Sequence, residues 1–303
     1  SFLQSQTTND VLQMQIGQGQ NSAVTDRQAR LIANFSIHRM EEDEALILVE
    51  TSLKDILLSH LESYHFREEV EFTALNCRLL ALQGPKSSLI LEKVFENQKL
   101  PDKPNDTSQV ILGEHLINLI IKSLTGEEGQ ILCFPNELED ELTQLILKSD
   151  SPPIKVNEVA REVLRIEAGI PIYDTDMDKK NILPETGLEH TSVSYNKGCY
   201  IGQEVIARIK TYGAPNFALM GLTVEGVLTP PYNGTLKLGD KKIGTIKSSV
   251  RSVTLDKVIT LAYLHKEHRS PDIEMEATID GKPFKVKTCL LPFYQAQTRK
   301  DHS

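Results

Sequence analysis

The chain beyond position 213 restricts the possible folds more than any other part of the sequence. Short apolar runs occupy residues 218–224, 243–249, 258–264, 275–279 and 284–288, with Gly, Pro, Asn and Asp between them. Short strands at such spacing, separated by turn residues, are typical of a small β-barrel. We therefore predict a C-terminal β-barrel domain over residues 213–303.

The middle of the chain predicts alternating strands and helices. Hydrophobic periodicity indicates strands at 45–49, 70–73, 79–82 and 116–121, and helices at 53–64 and 86–97. Residues 100–108, rich in Pro, Asp and Asn, are expected to form the loop before the last of these strands. This β-α-β-β-α-β order predicts a ferredoxin-like domain over residues 45–124.

The segments on either side of that domain predict a further unit of mixed structure. Strands are expected at 19–24, 31–38 and 130–134, and helices at 137–148 and 156–167. The most economical architecture joins residues 1–44 and 125–212 into one discontinuous α+β domain, with residues 45–124 inserted in it. The predicted fold class is therefore α+β, with three lobes.

Composition argues against several classes of protein. A chain of 303 residues exceeds the usual size of one hydrophobic core, so two or three domains are expected. The formal net charge of −9 argues against a surface that coats nucleic acid, and we expect no direct nucleic-acid binding. No apolar run approaches the roughly 20 residues of a membrane span, and no signal-peptide pattern is visible, so we expect no membrane association.

The four cysteines lie far apart in the sequence, at positions 77, 133, 199 and 289. They form no Cys-x-x-Cys pair and no His/Cys ligand spacing, so we predict no self-contained metal site. A reducing cytoplasm is the simplest location for such a protein.

One of these cysteines lies in a motif suited to chemistry. Cys199 follows Lys197 and Gly198, and a helix is predicted to begin just after it, near Gly202 or Gln203. The unpaired N–H groups of that helix start and the lysine ammonium both favour a thiolate. Cys199 and Lys197 are therefore the candidate catalytic residues. The alternative is a small buried cysteine in an ordinary turn.

The motif resembles the signature of a known family. The octapeptide Lys197-Gly198-Cys199-Tyr200-Ile201-Gly202-Gln203-Glu204 is similar to that of the YgfZ family of folate-binding proteins. These are relatives of the glycine-cleavage T-protein (aminomethyltransferase), and they include mitochondrial iron–sulfur assembly factors. Further similar segments follow in the expected order: residues 2–11, Gln83-Gly84-Pro85, Thr125-Gly126-Glu127-Glu128-Gly129, Arg165-Ile166-Glu167-Ala168-Gly169-Ile170-Pro171 and Leu183-Pro184-Glu185-Thr186-Gly187-Leu188. The resemblance implies a T-protein-like fold with folate held in a central opening.

The resemblance also implies a cofactor, tetrahydrofolate or another folate derivative, and residues that bind it. A glutamate in the segment of Glu167 is associated with the folate site of the T-protein family, and one carboxylate can accept two adjacent pterin N–H groups. A structural ion pair is the alternative for Glu167. Tyr173 is expected either to stack on the pterin ring or to lie in the core. Arg208 is expected to meet the glutamate tail of the folate or to be solvated.

Three motif residues complete the predicted cofactor-binding set, namely Tyr200, Gln203 and Glu204, although Glu204 can instead cap the loop through backbone N–H groups. A second turn departs from the family pattern. Residues 26–30 resemble the family's Asp-x-x-Gly-Arg turn, but Ala29 stands where glycine is usual. Because a positive φ would be strained for alanine, we expect this turn to be shaped differently.

Two function classes compete, and a structural scaffold is a third alternative. The first is a folate-binding accessory protein that supports assembly or repair of iron–sulfur clusters in other enzymes, including enzymes that modify tRNA. Its partners would be iron–sulfur client or assembly proteins, and Cys199 its reactive group. The second is a tetrahydrofolate-dependent aminomethyl or methyl transferase. The resemblance favours the first class, because the T-protein usually carries Gly-x-Phe-Ile-Gly without the cysteine at this place.

Overall fold

The computed structural model describes residues 2–226 and 234–294, which form two open antiparallel sheets and a closed barrel. The first sheet has the order β1 (Gly19–Thr25), β2 (Leu31–Arg39) and β3 (Ala45–Val49). Leu31, Ala33, Phe35 and Ile37 alternate along β2 and enter one core, since successive strand residues point to opposite faces. Helices α1 (Phe2–Gln6) and α2 (Lys54–Ser63) contribute to the same core.

The second sheet is also antiparallel throughout. Its strands are β4 (Arg78–Gln83), β5 (Thr107–Leu112), β6 (His115–Ile121) and β7 (Gly129–Phe134), in the spatial order β4-β7-β6-β5. Helices α3 (Ser87–Val94) and α4 (Glu139–Leu147) pack on one face of this sheet, over Leu82, Leu119 and Phe134. Leu79 and Cys133 lie on the opposite face of this sheet.

The element order predicted for residues 45–124 differs from the observed one. The strand predicted at 70–73 was wrong, because Phe72 packs against the core of the first sheet and this segment joins no ladder. Residues 107–112 form a strand that was not predicted, paired with β6 across a turn at Gly113, which has a φ of +61°. The strand predicted at 45–49 exists, but it pairs with β2 in the first sheet.

Three helices lead from the second sheet to the barrel: α5 (Glu158–Glu167), α6 (Glu189–Ser192) and α7 (Gln203–Tyr212). The side chain of Asn157 caps α5 by accepting the N–H of Ala160 at 2.9 Å. Short 3-10 helices occupy Thr51–Leu53, Asn136–Leu138, Leu183–Glu185 and Lys266–His268. Helix α5 packs against the barrel, so it links the two halves of the chain.

The C-terminal region is a β-barrel, as predicted, and the structure shows it closed with six strands. Its strands are β8 (Phe217–Val224), β9 (Gly234–Leu238), β10 (Lys241–Ser252), β11 (Lys257–His265), β12 (Glu274–Ile279) and β13 (Lys282–Cys289), closed in the order β10-β11-β8-β13-β12-β9. Met220, Leu222, Leu236 and Ile246 fill its interior. Only β9 was missed from the sequence. The predicted mixed α and β fold class with a C-terminal barrel is confirmed, whereas the domain boundaries stay predictions.

None of the helices within residues 2–226 and 234–294 is long and apolar enough to cross a membrane.

Candidate functional site

The side-chain ammonium of Lys197 is bound by main-chain oxygens within the fold. Its Nζ donates to the main-chain oxygens of Gln4 at 2.7 Å, Thr7 at 2.6 Å and Asn9 at 2.7 Å. The same nitrogen lies 5.1 Å from the centre of the Tyr200 ring. Burial lowers the pKa of Lys197 to about 8. All three ammonium protons have carbonyl partners, so this arrangement favours a structural role for Lys197 over activation of the thiol.

The rest of the motif loop lies against the turn that follows β1. Thr25 Oγ1 donates to the main-chain oxygen of Ile201 at 2.7 Å. Gly202 has a φ of +86°, and a Cβ there would lie 2.5 Å from Thr25 Oγ1 and 2.6 Å from the main-chain oxygen of Asp26. Glycine is therefore required at this position, both for its conformation and for the close approach. Helix α7 begins directly afterwards at Gln203, which confirms the predicted helix start.

Cys199 itself is exposed to solvent. The alternative of a buried cysteine is therefore wrong. On one side lies Lys197, anchored by its three carbonyl contacts, and on the other the buried ring of Tyr200. The thiol is thus presented to solvent from a backbone whose neighbours on both sides are held in place.

The other predicted ligand contacts divide between the surface and the core. Glu204 and Arg208 are exposed on α7, and Gln203 is partly buried. Tyr173 and Tyr200 both belong to the core of the first sheet. For the two tyrosines, this placement favours the core alternative over stacking on a ligand.

Glu167 lies at the junction between α5 and the barrel. It is buried, and its Oε1 accepts the hydroxyl of Ser252 at 2.5 Å while its Oε2 accepts that of Thr254 at 3.4 Å. Its main-chain oxygen also accepts the N–H of Phe293 at 2.9 Å. The carboxylate therefore already has partners from the barrel, which favours a structural role, although through hydroxyls rather than an ion pair.

A buried ion pair reinforces the same junction. Arg165 Nη1 donates to Asp176 Oδ2 at 2.8 Å, and Arg165 Nη2 donates to Ser248 Oγ in β10 at 2.8 Å. Ser248 Oγ donates in turn to Asp176 Oδ1 at 2.5 Å. Glu162, one turn earlier on α5, accepts two further bonds from the guanidinium. This satisfied network joins α5 to the barrel.

The turn around Ala29 keeps the left-handed conformation that its sequence disfavours. Ala29 has a φ of +62°, so the expectation of a different loop shape was wrong. Asp26 Oδ1 accepts the N–H groups of Gln28 at 2.8 Å and Arg30 at 2.9 Å, and the fully buried Ala29 methyl packs in the core. These contacts hold the turn in place despite the cost of the conformation.

The side of the first sheet that faces away from its core carries a set of polar side chains, which we call the polar face: Asn21, Asn34, Ser36 and His38. The register pairs Asn21 with Ser36, so both lie on the same side of the sheet. Oδ1 of Asn34 is buried and has no hydrogen-bond partner among the described residues. Since buried acceptors are nearly always paired, this atom points to a missing partner.

Two ionisable groups belong to this region. His38 Nδ1 lies 2.9 Å from the main-chain oxygen of Asn105, and its Nε2 lies 3.0 Å from Ser36 Oγ. Burial lowers the pKa of His38 to about 4, so the ring is neutral at neutral pH. Lys122 Nζ donates to Asn21 Oδ1 at 2.9 Å, and burial lowers the pKa of Lys122 to about 8. A cation therefore stands beside the polar face at neutral pH.

A cavity of about 560 Å³ lies between β3, α2 and the second sheet. Its walls include Leu48, Leu57, Phe72, Ile120 and Cys133. The volume and the mainly apolar walls are those of a small-molecule pocket. No group of three or more His, Cys, Asp or Glu side chains suited to a metal ion occurs within residues 2–226 and 234–294.

Comparison with known proteins identifies the family. The GCVT N-terminal domain matches residues 1–197, and the glycine cleavage T-protein C-terminal barrel domain matches residues 218–295. The chain belongs to the glycine-cleavage T-protein family. These two matches agree with the first sheet, the second sheet and the barrel described above.

Several relatives within the T-protein family are similar over almost the whole chain. An aminomethyltransferase of Bacillus cytotoxicus is 27% identical over 299 residues, which cover 97% of this chain and 81% of the relative. One of Bacillus cereus is 27% identical over 301 residues, with the same coverage of each chain. The crystal structure of glycine cleavage system aminomethyltransferase T from Bartonella henselae superimposes with a TM-score of 0.87 at 21% identity, over 98% of this chain and 81% of that one. That structure shows a shared fold.

In this T-protein family member, the thiol motif and the polar face lie on opposite sides of the first sheet. Tyr200 packs in the core beneath the sheet together with Ala33 and Phe35, whereas Asn34 and Lys122 belong to the other side. Sequence reasoning missed the polar face. The signal was present in β2, where Asn34, Ser36 and His38 alternate with the apolar core residues.

Proposed function

We propose that the chain is a folate-binding accessory protein of the YgfZ type that supports assembly or repair of iron–sulfur clusters in other enzymes, including those that modify tRNA. Its partners would be client or assembly proteins in a reducing cytoplasm. The observation that carries this proposal is the exposed Cys199 between the anchored Lys197 and Tyr200. An exposed thiol on a rigid loop is available to a partner protein, which a buried structural cysteine is not.

The polar face supports the folate part of the proposal. The N–H groups of a pterin ring would give Asn34 Oδ1 the donor that it lacks among the described residues. The ammonium of Lys122, held beside Asn21, would attract the carbonyl or carboxylate oxygens of tetrahydrofolate. Asn34 and Lys122 are therefore our main candidates for the ligand contacts, with Glu167 as the alternative anchor implied by the resemblance.

The second candidate function is a tetrahydrofolate-dependent aminomethyl or methyl transferase, and the names of the relatives favour it. Transfer from an amine requires a group that moves protons at the reacting atoms. Strands β1, β2 and β3 contain neither Asp nor Glu, and the imidazole of His38 already has partners at both ring nitrogens. The polar face is thus better suited to binding a folate than to proton transfer.

Calorimetric titration with tetrahydrofolate tests the folate part. We expect binding in the low-micromolar to millimolar range, which is about −4 to −8 kcal/mol. Asn34→Ala and Lys122→Met should each weaken binding roughly tenfold, because each removes one polar contact. Lys155→Met, at an exposed lysine, is the matched control and should bind like the wild type.

The outcomes of that titration distinguish whether the protein binds folate from which residues bind it. No heat and no thermal shift at saturating tetrahydrofolate would refute folate binding. Normal binding by Glu167→Ala would remove only the Glu167 assignment, and normal binding by Asn34→Ala and Lys122→Met would remove only the polar face. Transfer of a one-carbon unit to the bound folate would favour the transferase.

Labelling and complementation test the thiol. Cys199 should react with iodoacetamide faster than Cys77, Cys133 or Cys289, because it is exposed and the other three are buried or partly buried. Cys199→Ser should abolish this fast phase and impair cluster-dependent growth of a strain that lacks the family member. Cys289→Ser, the matched control, should grow normally. Full complementation by Cys199→Ser would show that the thiol is not the working group.

A further inference from the structure

Two other cysteines meet at the second sheet. Cys77 directly precedes β4, and Cys133 lies in β7, where it pairs with Leu79. Because Cys77 stands two residues before Leu79, its side chain falls on the same face of the sheet as Cys133. The Cys133 thiol donates to Cys77 Sγ at a sulfur–sulfur distance of 2.8 Å, and both cysteines are free. A sulfur–sulfur bond of about 2.0 Å needs an approach of less than 1 Å.

The segment that contains Cys77 can move by this distance towards Cys133. Residues 65–77 connect α2 to β4 without a helix or strand. No main-chain hydrogen bond joins residues 71–77 to any other residue within the described ranges. By contrast, Cys133 is fixed in the ladder between β4 and β6. A small displacement of the Cys77 side is therefore sufficient, and the ladder of the sheet is left intact.

Both cysteines also line the cavity of about 560 Å³, together with Phe72 and Leu75 from the same connecting segment. A small oxidant that enters this cavity reaches the pair without any opening of the sheet. A bond between the sulfurs would tether the wall formed by residues 71–77 to β7. The pair is thus placed where its oxidation state changes how firmly one wall of the cavity is held.

We propose that Cys77 and Cys133 form a redox-modification site that hydrogen peroxide converts into an intramolecular disulfide. This inference is independent of the folate and Cys199 proposals. Its consequence is an oxidised form in which the connecting segment between α2 and β4 is linked covalently to the second sheet.

The reaction proceeds in two steps. The thiolate of Cys77 attacks one oxygen of the peroxide, the O–O bond breaks, and the departing hydroxide takes a proton to form water, which leaves a sulfenic acid on Cys77. The sulfur of Cys133 then attacks the Cys77 sulfur, the S–O bond breaks, and the hydroxide leaves as water with the Cys133 proton. Two thiols and one peroxide give one disulfide and two waters, so the sulfurs are oxidised and the peroxide is reduced.

The environments of the two thiols indicate which one attacks the peroxide and which one attacks the sulfenic acid. Cys77 is partly exposed, whereas Cys133 is buried. Burial and the neighbouring Cys77 raise the pKa of Cys133, so Cys133 is the poorer first nucleophile. Cys133 is suited instead to the second step, because its sulfur already lies 2.8 Å from that of Cys77.

Mass mapping of the whole protein tests the site. The reduced chain is treated with hydrogen peroxide, its remaining thiols are alkylated, and the digest is analysed for linked peptides. We expect one linked pair that joins the peptides of Cys77 and Cys133, loss of both thiols from alkylation, and recovery of both with dithiothreitol. The same result is expected in Cys199→Ser, where the exposed thiol no longer competes for the oxidant.

Single substitutions then separate the two steps. In Cys133→Ser, Cys77 should stop at the sulfenic acid and be trapped by dimedone, whereas Cys289→Ser should still form the linked pair. Alkylation of both Cys77 and Cys133 in the peroxide-treated wild type would overturn the proposal, and so would a link formed only in denaturant. Because the wild-type result decides on its own, a failure of Cys133→Ser to fold leaves the test intact.

Discussion

The side-chain nitrogen of Lys197 lies 2.6 Å from the main-chain oxygen of Thr7, although 190 positions separate the two residues. Helix α1 ends at Gln6, so the Thr7 oxygen is one of the carbonyls just beyond the helix. Lys197 therefore closes the N-terminal segment onto the motif loop. The three carbonyl contacts explain why an amine is required at this position.

Replacing Lys197 should destabilise the protein. Lys197→Met leaves the carbonyls of Gln4, Thr7 and Asn9 without their donor, and bonds to charged groups contribute about 1.5–3 kcal/mol each. We expect the free energy of unfolding in urea to fall by at least about 3 kcal/mol, which is less than the sum of the three bonds because burying the ammonium itself costs free energy. Lys210→Met, at an exposed lysine of α7, should change it by less than about 0.5 kcal/mol. An unchanged urea midpoint for Lys197→Met would contradict the role assigned here.

Two glycines of the motif should respond differently to alanine. Gly202→Ala places a Cβ 2.5 Å from Thr25 Oγ1 at a φ of +86°, so it should cost about 2–3 kcal/mol of folding free energy. Gly198→Ala meets nothing within 4 Å and should be nearly neutral. Thermal unfolding of both variants distinguishes these effects, and equal melting temperatures would show that the loop can move away from the turn after β1.

The ion pair at the barrel junction should be important for stability. Asp176→Ala removes one of the two carboxylates that bind the buried guanidinium of Arg165, and breaking such a buried pair typically costs about 3–5 kcal/mol. Asp150→Ala removes one partner of the exposed pair with Lys93 and should cost about 1 kcal/mol or less. Urea unfolding followed by circular dichroism measures both. A loss for Asp176→Ala no larger than for Asp150→Ala would mean that water replaces the missing carboxylate.

The lowered pKa of His38 predicts that the stability of the protein depends on pH. Its pKa is lowered from 6.5 to about 4 in the folded protein by burial, with a contribution from the charge of Lys122. The unfolded chain therefore binds more protons between these two values, so the stability contributed by neutral His38 is lost as pH falls from about 6.5 to about 4. The loss amounts to roughly 3 kcal/mol.

Unfolding free energies at several pH values test this dependence. His38→Gln should show a shallower fall between pH 7 and pH 4 than the wild type, whatever its absolute stability. His190→Gln, at an exposed histidine, should fall in parallel with the wild type. Parallel curves for all three proteins would refute the assignment to His38.

Much of the local structure was predictable because it depends on neighbours in sequence. The start of α7 at Gln203 follows from a glycine before an apolar-periodic run, and five of the six barrel strands follow from apolar runs bounded by turn residues. The glycine-cleavage T-protein family was equally recognisable, since its motifs are contiguous segments. These features need no knowledge of distant contacts.

Tertiary structure decided the partners of each group, because burial and hydrogen bonding depend on residues far away in sequence. The ammonium of Lys197, predicted to serve Cys199, has its carbonyls at the N-terminus. Residues 70–73 are strand-like in sequence but form no strand, whereas β3 pairs with β2. The Asn34 oxygen, which has no partner among the described residues, and the contact between Cys77 and Cys133 both arise only once the sheets are assembled. Sequence determined the elements and the family, and packing determined which side chains meet.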